Sequence, residues 1–137
     1  GQSVSGGKMN ERSVSTALSG AERRQFFRVE CNMKTEFKLA GGLCWIPAEV
    51  VDLSVAGMKI RFDPFFRGKT ILPEMLDWAE SDFRFPAKGG FFKIEGYFLR
   101  VYLREPGRFT AGVEFDEPTP EQQFRLVELY GAFRRQK

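Results

Sequence analysis

The sequence predicts an all-β domain closed by one terminal helix: a small antiparallel β-barrel of about six strands plus a C-terminal α-helix. Three observations carry this reading. Residues 29–39 alternate strictly between apolar and polar side chains. Further alternating runs follow, separated by turns of hairpin length. The last segment changes to a helical period and opens on a capping pattern.

Residues 1–20, GQSVSGGKMNERSVSTALSG, are rich in Gly and Ser. They carry too little apolar surface to offset the entropy of ordering, so a flexible tail or linker is expected there, with the folded domain over 21–137. In the first strand Val29, Cys31, Met33, Thr35, Phe37 and Leu39 share the inner face, against Glu30, Asn32, Lys34, Glu36 and Lys38. AGG at 40–42 turns the chain. A partner strand is expected at about Cys44–Leu53, with Pro47 marking an edge or a bulge. SVAG at 54–57 is a turn, and Met58, Ile60 and Phe62 alternate with Lys59 and Arg61 in a third strand. Residues 63–90 read as an atypical insertion, with a short strand near 70–72 and a short helix in 73–83.

A long strand is expected at 91–105, a turn at 106–108, and a strand at 109–115 with Phe109, Ala111, Val113 and Phe115 inward. Thr119 then suits an N-cap, Pro120 the first helical position, and Gln122 completes a capping box. Phe124, Val127, Tyr130 and Gly131 or Phe133 form the expected apolar stripe, widened by Leu126 and Leu129. Arg134, Arg135 and Lys137 complement the helix dipole.

Composition narrows the function. Apolar residues make up 42% and fifteen are Phe, which marks a chain with a packed core rather than a disordered one. No apolar run approaches the ~18 residues of a membrane helix, and 1–20 lack the apolar centre of a secretory signal. The expected location is the cytoplasm. Cys31 and Cys44 stand at no metal-ligand spacing and are expected to be reduced, buried thiols. The chain has no histidine, which removes the usual general base at neutral pH and most zinc sites. No catalytic residue, metal or cofactor is expected. A net charge of +3 and a pI of 9.0 permit an anionic partner without requiring one.

Two short stretches carry chemistry. AERRQFFRVE, 21–30, brackets Phe26 and Phe27 with Arg23, Arg24 and Arg28, and Arg24 and Arg28 form RxxxR. DLSVAG, 52–57, reads DxSxxG at the end of a strand. In this order, with a hairpin between them, the two motifs resemble those of the PilZ domain family of bacterial cyclic di-GMP receptors. The resemblance runs over about residues 22–135, takes in the closing AGVEFDEPTPEQQFRLVELY, and is weakest across 63–90. It implies a non-catalytic module that binds cyclic di-GMP through Arg23, Arg24, Arg28, Asp52, Ser54 and Gly57.

The residue types suit that ligand, which presents phosphodiester anions and guanine bases. A guanidinium binds a phosphate or the O6/N7 edge of guanine through two hydrogen bonds, and its plane stacks on a purine. Asp52 can accept from guanine N1–H and N2–H. Ser54 can donate to a phosphate or cap the turn. Gly57 lets the backbone reverse or the ligand come close. Arg61 points away from the Met58, Ile60 and Phe62 face and is a further candidate phosphate contact, with Arg100 a weaker one on similar grounds.

Each feature has a plainer explanation. Arg23, Arg24 and Arg28 alone would be solvated charges beside Glu22 and Glu30, and Asp52 and Ser54 alone would be ordinary turn formers. The conjunction favours a receptor in which ligand binding orders the N-terminal segment and signals to a downstream protein or a covalently linked domain. The alternative is a PilZ-like scaffold that binds no nucleotide. Neither DNA nor RNA is an expected partner, because the aromatics alternate inward rather than spreading over an exposed sheet face.

Overall fold

Twelve residues of unbroken alternation make β1, and the rest of the barrel is built outward from it. The structure is a computed structural model that describes residues 28–135. In chain order the elements are β1 (Arg28–Leu39), β2 (Ile46–Ser54), β3 (Gly57–Phe62), β4 (Phe65–Phe66), β5 (Lys69–Thr70), α1 (Pro73–Leu76), β6 (Glu80–Ala87), β7 (Gly90–Glu105), β8 (Arg108–Phe115) and α2 (Pro120–Arg135). Six strands close an antiparallel barrel in the order β1-β2-β3-β8-β7-β6, and β4 and β5 form a separate ribbon. The expected fold is therefore the observed one.

Inward residues of every barrel strand meet in one core. Phe37, Phe83 and Phe98 are fully buried, with Val50, Leu53 and Ile60. The Phe37 ring meets Phe62 and Phe98 edge to face, with centroids 5.1 and 5.2 Å apart, an arrangement that aromatic quadrupoles favour. Pro47 fits for a local reason. It pairs with Glu36 of β1, but the β2–β3 ladder begins only at Glu49↔Arg61. A residue without an N–H donor thus sits where one neighbouring strand is missing.

Three expectations need correction. Residues 63–90 hold a barrel strand as well as the small ribbon. The helix in 73–83 lasts only Pro73–Leu76. Trp78 then takes a left-handed conformation (φ 58°), and β6 begins at Glu80 with Ser81, Phe83 and Phe85 inward. On α2 the reciprocal capping box forms as expected: Thr119 N–H donates to Gln122 Oε1 (2.9 Å), and Gln122 N–H donates to Thr119 Oγ1 (3.1 Å). The packing face is turned, however. Leu126 is buried, with Leu129, Tyr130 and Phe133 against the core, while Phe124 is 62% exposed. The spacing i, i+3, i+4, i+7 from Leu126 makes the better stripe. Finally, Cys31 is half-buried but Cys44 is exposed. Among the described residues, no helix is long and apolar enough to cross a membrane.

Candidate functional site

The DxSxxG stretch becomes the end of β2, a tight bend, and the start of β3. Val50 and Leu53 both point into the core. Two residues between two inward ones break the alternation, and the ladder to β3 shifts between Val50↔Ile60 and Asp52↔Lys59. This bulge re-aims Asp52, which strict alternation from Val50 would bury. Its side chain is instead 21% exposed on the outer face.

Arg28 opens β1 beside this bend. It lies opposite Ser54 in the β1–β2 ladder. Its guanidinium Nη2 stands 3.5 Å from Asp52 Oδ2, and half of the Arg28 side chain remains exposed. The two motifs thus meet on one side of the barrel, with the second arginine of RxxxR against the carboxylate of DxSxxG. Arg23 and Arg24, the other arginines expected here, lie outside the described residues.

Ser54 takes the second of its two expected roles. Its residue is 2% exposed. Ser54 Oγ accepts from the N–H groups of Ala56 (3.2 Å) and Gly57 (3.1 Å), and donates to Gly57 O (3.1 Å). A hydroxyl so placed holds the bend closed. Gly57 is required by the neighbouring strand rather than by a positive φ. A Cβ built there would fall 2.3 Å from the Val113 carbonyl oxygen of β8.

The outer face beyond Asp52 is a cross-strand row. Glu30, Asp52, Lys59, Gly112 and Arg100 are successive ladder partners across β1, β2, β3, β8 and β7. Directly opposed residues share a face, so Lys59 and Arg100 flank a position with no side chain. A Cβ on Gly112 would meet only Leu99 Cβ, at 4.0 Å. Arg100 therefore joins the row that holds Asp52. Lys59 was read from the sequence only as an outward residue of the third strand. Its position two residues after Gly57, opposite in period to Met58, is the signal that identifies it.

Arg61 stands one row further along β3, about 6–7 Å from the Lys59 position. Its Nη2 is 2.8 Å from Glu49 Oε1. With Glu49 it borders a cavity of about 550 Å³, and none of Arg28, Asp52, Ser54 or Gly57 lines that cavity. Among the described residues, no group of three or more His, Cys, Asp or Glu side chains is placed to hold a metal ion.

Barrel, helix and paired motifs define a class, and comparison identifies it. The PilZ domain family model matches residues 22–132, so the chain belongs to the PilZ domain family. Similar solved structures include a PilZ domain of YcgR from Escherichia coli with c-di-GMP, at 15% identity and TM-score 0.59, covering 80% of this chain and 90% of that one. MrkH of K. pneumonia in its apo state matches at 16% identity and TM-score 0.56, covering 81% and 53%. PlzA of Borreliella burgdorferi in complex with c-di-GMP matches at 15% identity and TM-score 0.51, covering 86% and 55%. At such identities the likeness is one of fold, and the chain spans about half the length of the latter two. No curated protein matches the chain.

Proposed function

We propose that this PilZ domain is a non-catalytic receptor for cyclic di-GMP, bound on the outer face where β1 begins and β2 bends into β3. The observation that carries the reading is the approach of Arg28 to Asp52, 3.5 Å across the two motifs. Arg23, Arg24 and Arg28 supply guanidinium groups to phosphate and guanine. Asp52 accepts from the guanine edge. Ser54 and Gly57 act through the bend, which fixes where Asp52 points. Lys59 and Arg100 bring two more cations along the row, with the bare Gly112 between them. Arg61 serves as an outlying phosphate contact, on condition that it leaves Glu49. Family membership and structural neighbours with c-di-GMP bound support the choice of ligand.

The signal in this reading is the closing of the Arg-bearing leader over the ligand. That movement repositions residues 1–22 for a downstream protein or a linked domain in the cytoplasm. Calorimetric titration of cyclic di-GMP against the wild type and Arg24→Ala tests it. Saturable heat that the variant loses is the expected result. A wild type without heat would transfer the assignment to the nucleotide-free scaffold.

A further inference from the structure

A cavity on the barrel shares only Arg61, the outlying contact, with the proposed nucleotide face. It is bounded by the start of β2, the end of β3, the β6–β7 hairpin and the β7–β8 turn, and its volume of about 550 Å³ lies in the range of binding clefts. Its apolar lining is Pro47, Ala48, Phe62, Pro86 and Phe91. Phe91 is 51% exposed, an aromatic ring left open to solvent.

A guanidinium stacks on that ring. The Arg84 guanidinium lies between two rings, 4.2 Å from the centroid of Phe91 and 4.2 Å from that of Trp45. Arg84 Nε is fixed in turn by Glu36 Oε1 at 2.6 Å. Side chains with such contacts have less freedom left to lose when something covers them.

The charges give the sign of the occupant. Two of the cavity's carboxylates are engaged, Glu36 with Arg84 and Glu49 with Arg61. Asp63 Oδ1 accepts the Phe65 N–H at 2.9 Å. Lys34 and Arg108 also line the cavity, are exposed, and form no ion pair among the described residues. An aromatic floor beneath two available cations is complementary to an aromatic side chain flanked by carboxylates. The cavity is open to solvent rather than enclosed, which suits a peptide segment laid on it better than an engulfed metabolite.

We propose that this cavity is a docking site for an acidic, aromatic segment of a partner protein, distinct from the Arg28–Asp52 face. The probe is a capped Asp-Glu-Phe-Asp-Glu peptide, titrated into the whole ¹⁵N-labelled chain without nucleotide. Saturable shifts are expected at the amides of Ala48, Phe62, Phe91 and Arg108. The Lys34→Gln/Arg108→Gln variant changes two exposed side chains without setting a carboxylate opposite Glu49, and should melt like the wild type. It should weaken the peptide at least about tenfold, and Phe91→Ala should do the same. Peptides with Asn-Gln for Asp-Glu, or Ala for Phe, should each bind more weakly. Shifts absent from those amides, or equal affinity for the neutral peptide, would overturn the proposal.

Discussion

Arg28 faces Ser54 across the β1–β2 ladder, yet its guanidinium turns to Asp52 and stops 3.5 Å from the carboxylate. With half of Arg28 exposed, this pair belongs to the class that contributes about 0–1 kcal/mol to stability. Stability alone gives little reason for it, whereas the proposed ligand would recruit both groups at once. Arg28→Ala should therefore lower the free energy of unfolding by less than about 1 kcal/mol in urea. The same change should weaken cyclic di-GMP at least about a hundredfold, because charge-assisted contacts to phosphate are lost. Wild-type affinity in the variant would remove Arg28 from the site.

Ser54 gives the opposite pattern. Its hydroxyl serves the N–H groups of Ala56 and Gly57 and the carbonyl of Gly57, in a buried position. Ser54→Ala leaves those groups without their partner, at a cost of about 1–3 kcal/mol. The urea midpoint should fall with an unchanged slope. In the folded fraction, cyclic di-GMP should lose less affinity than with Asp52→Ala. A variant as stable as the wild type but unable to bind would mean that Ser54 touches the ligand directly.

Two glycines on the same sheet should respond differently to one methyl group. At Gly57 the added Cβ lands 2.3 Å from Val113 O, and backbone must shift. At Gly112 the nearest atom is Leu99 Cβ at 4.0 Å, and φ is not positive. Gly57→Ala should destabilise by about 1–3 kcal/mol, as crowding in a packed sheet does, whereas Gly112→Ala should fold with near wild-type stability. Gly112→Leu tests the proposed ligand path. It should fold, but should obstruct the space between Lys59 and Arg100 and weaken cyclic di-GMP. Equal melting of the two alanine variants would refute the packing account of Gly57.

These contrasts mark what was legible in the residues. Alternation exposes β1, β3 and β8 because each has one buried face and one solvated face. β6 is hard to see in the sequence because Pro86 and the Lys88–Gly90 turn resemble a loop, although Phe83 and Phe85 mark an inward face. The bulge at Val51 is invisible to a period of two, since it appears only as a shift against Lys59 and Ile60. An unbroken extended strand would put Asp52 and Ser54 on one face, whereas Ser54 is buried and Asp52 is partly exposed, so the direction of Asp52 follows from the bulge alone. The Lys59–Gly112–Arg100 row depends on pairing between strands far apart in the chain, which local pattern does not encode. The turned face of α2 reflects two overlapping apolar stripes, of which only packing selects one.

The two cysteines offer a test independent of any ligand. Cys44 is exposed in the β1–β2 connection, while Cys31 points inward from β1 with Sγ 3.5 Å from Val50 O. Burial raises the Cys31 pKa above its ordinary 9.0, and the nearby Asp52 and Glu49 raise it further, against a lowering hydrogen bond at Met33. Thiolate is the reactive form, so at pH 8 a disulfide reagent should label exposed Cys44 quickly and half-buried Cys31 more slowly. The linkage has a definite sign. A pKa raised in the folded state leaves stability intact below the unfolded value of 9.0 and removes it as pH rises through the higher folded value. Wild type should therefore lose more stability than Cys31→Ala between pH 8 and 11, with Cys44→Ala following the wild type. Peptide mapping after timed labelling checks the first expectation and urea melts across that range check the second; equal labelling of both thiols at pH 8 would show that β1 does not shield Cys31.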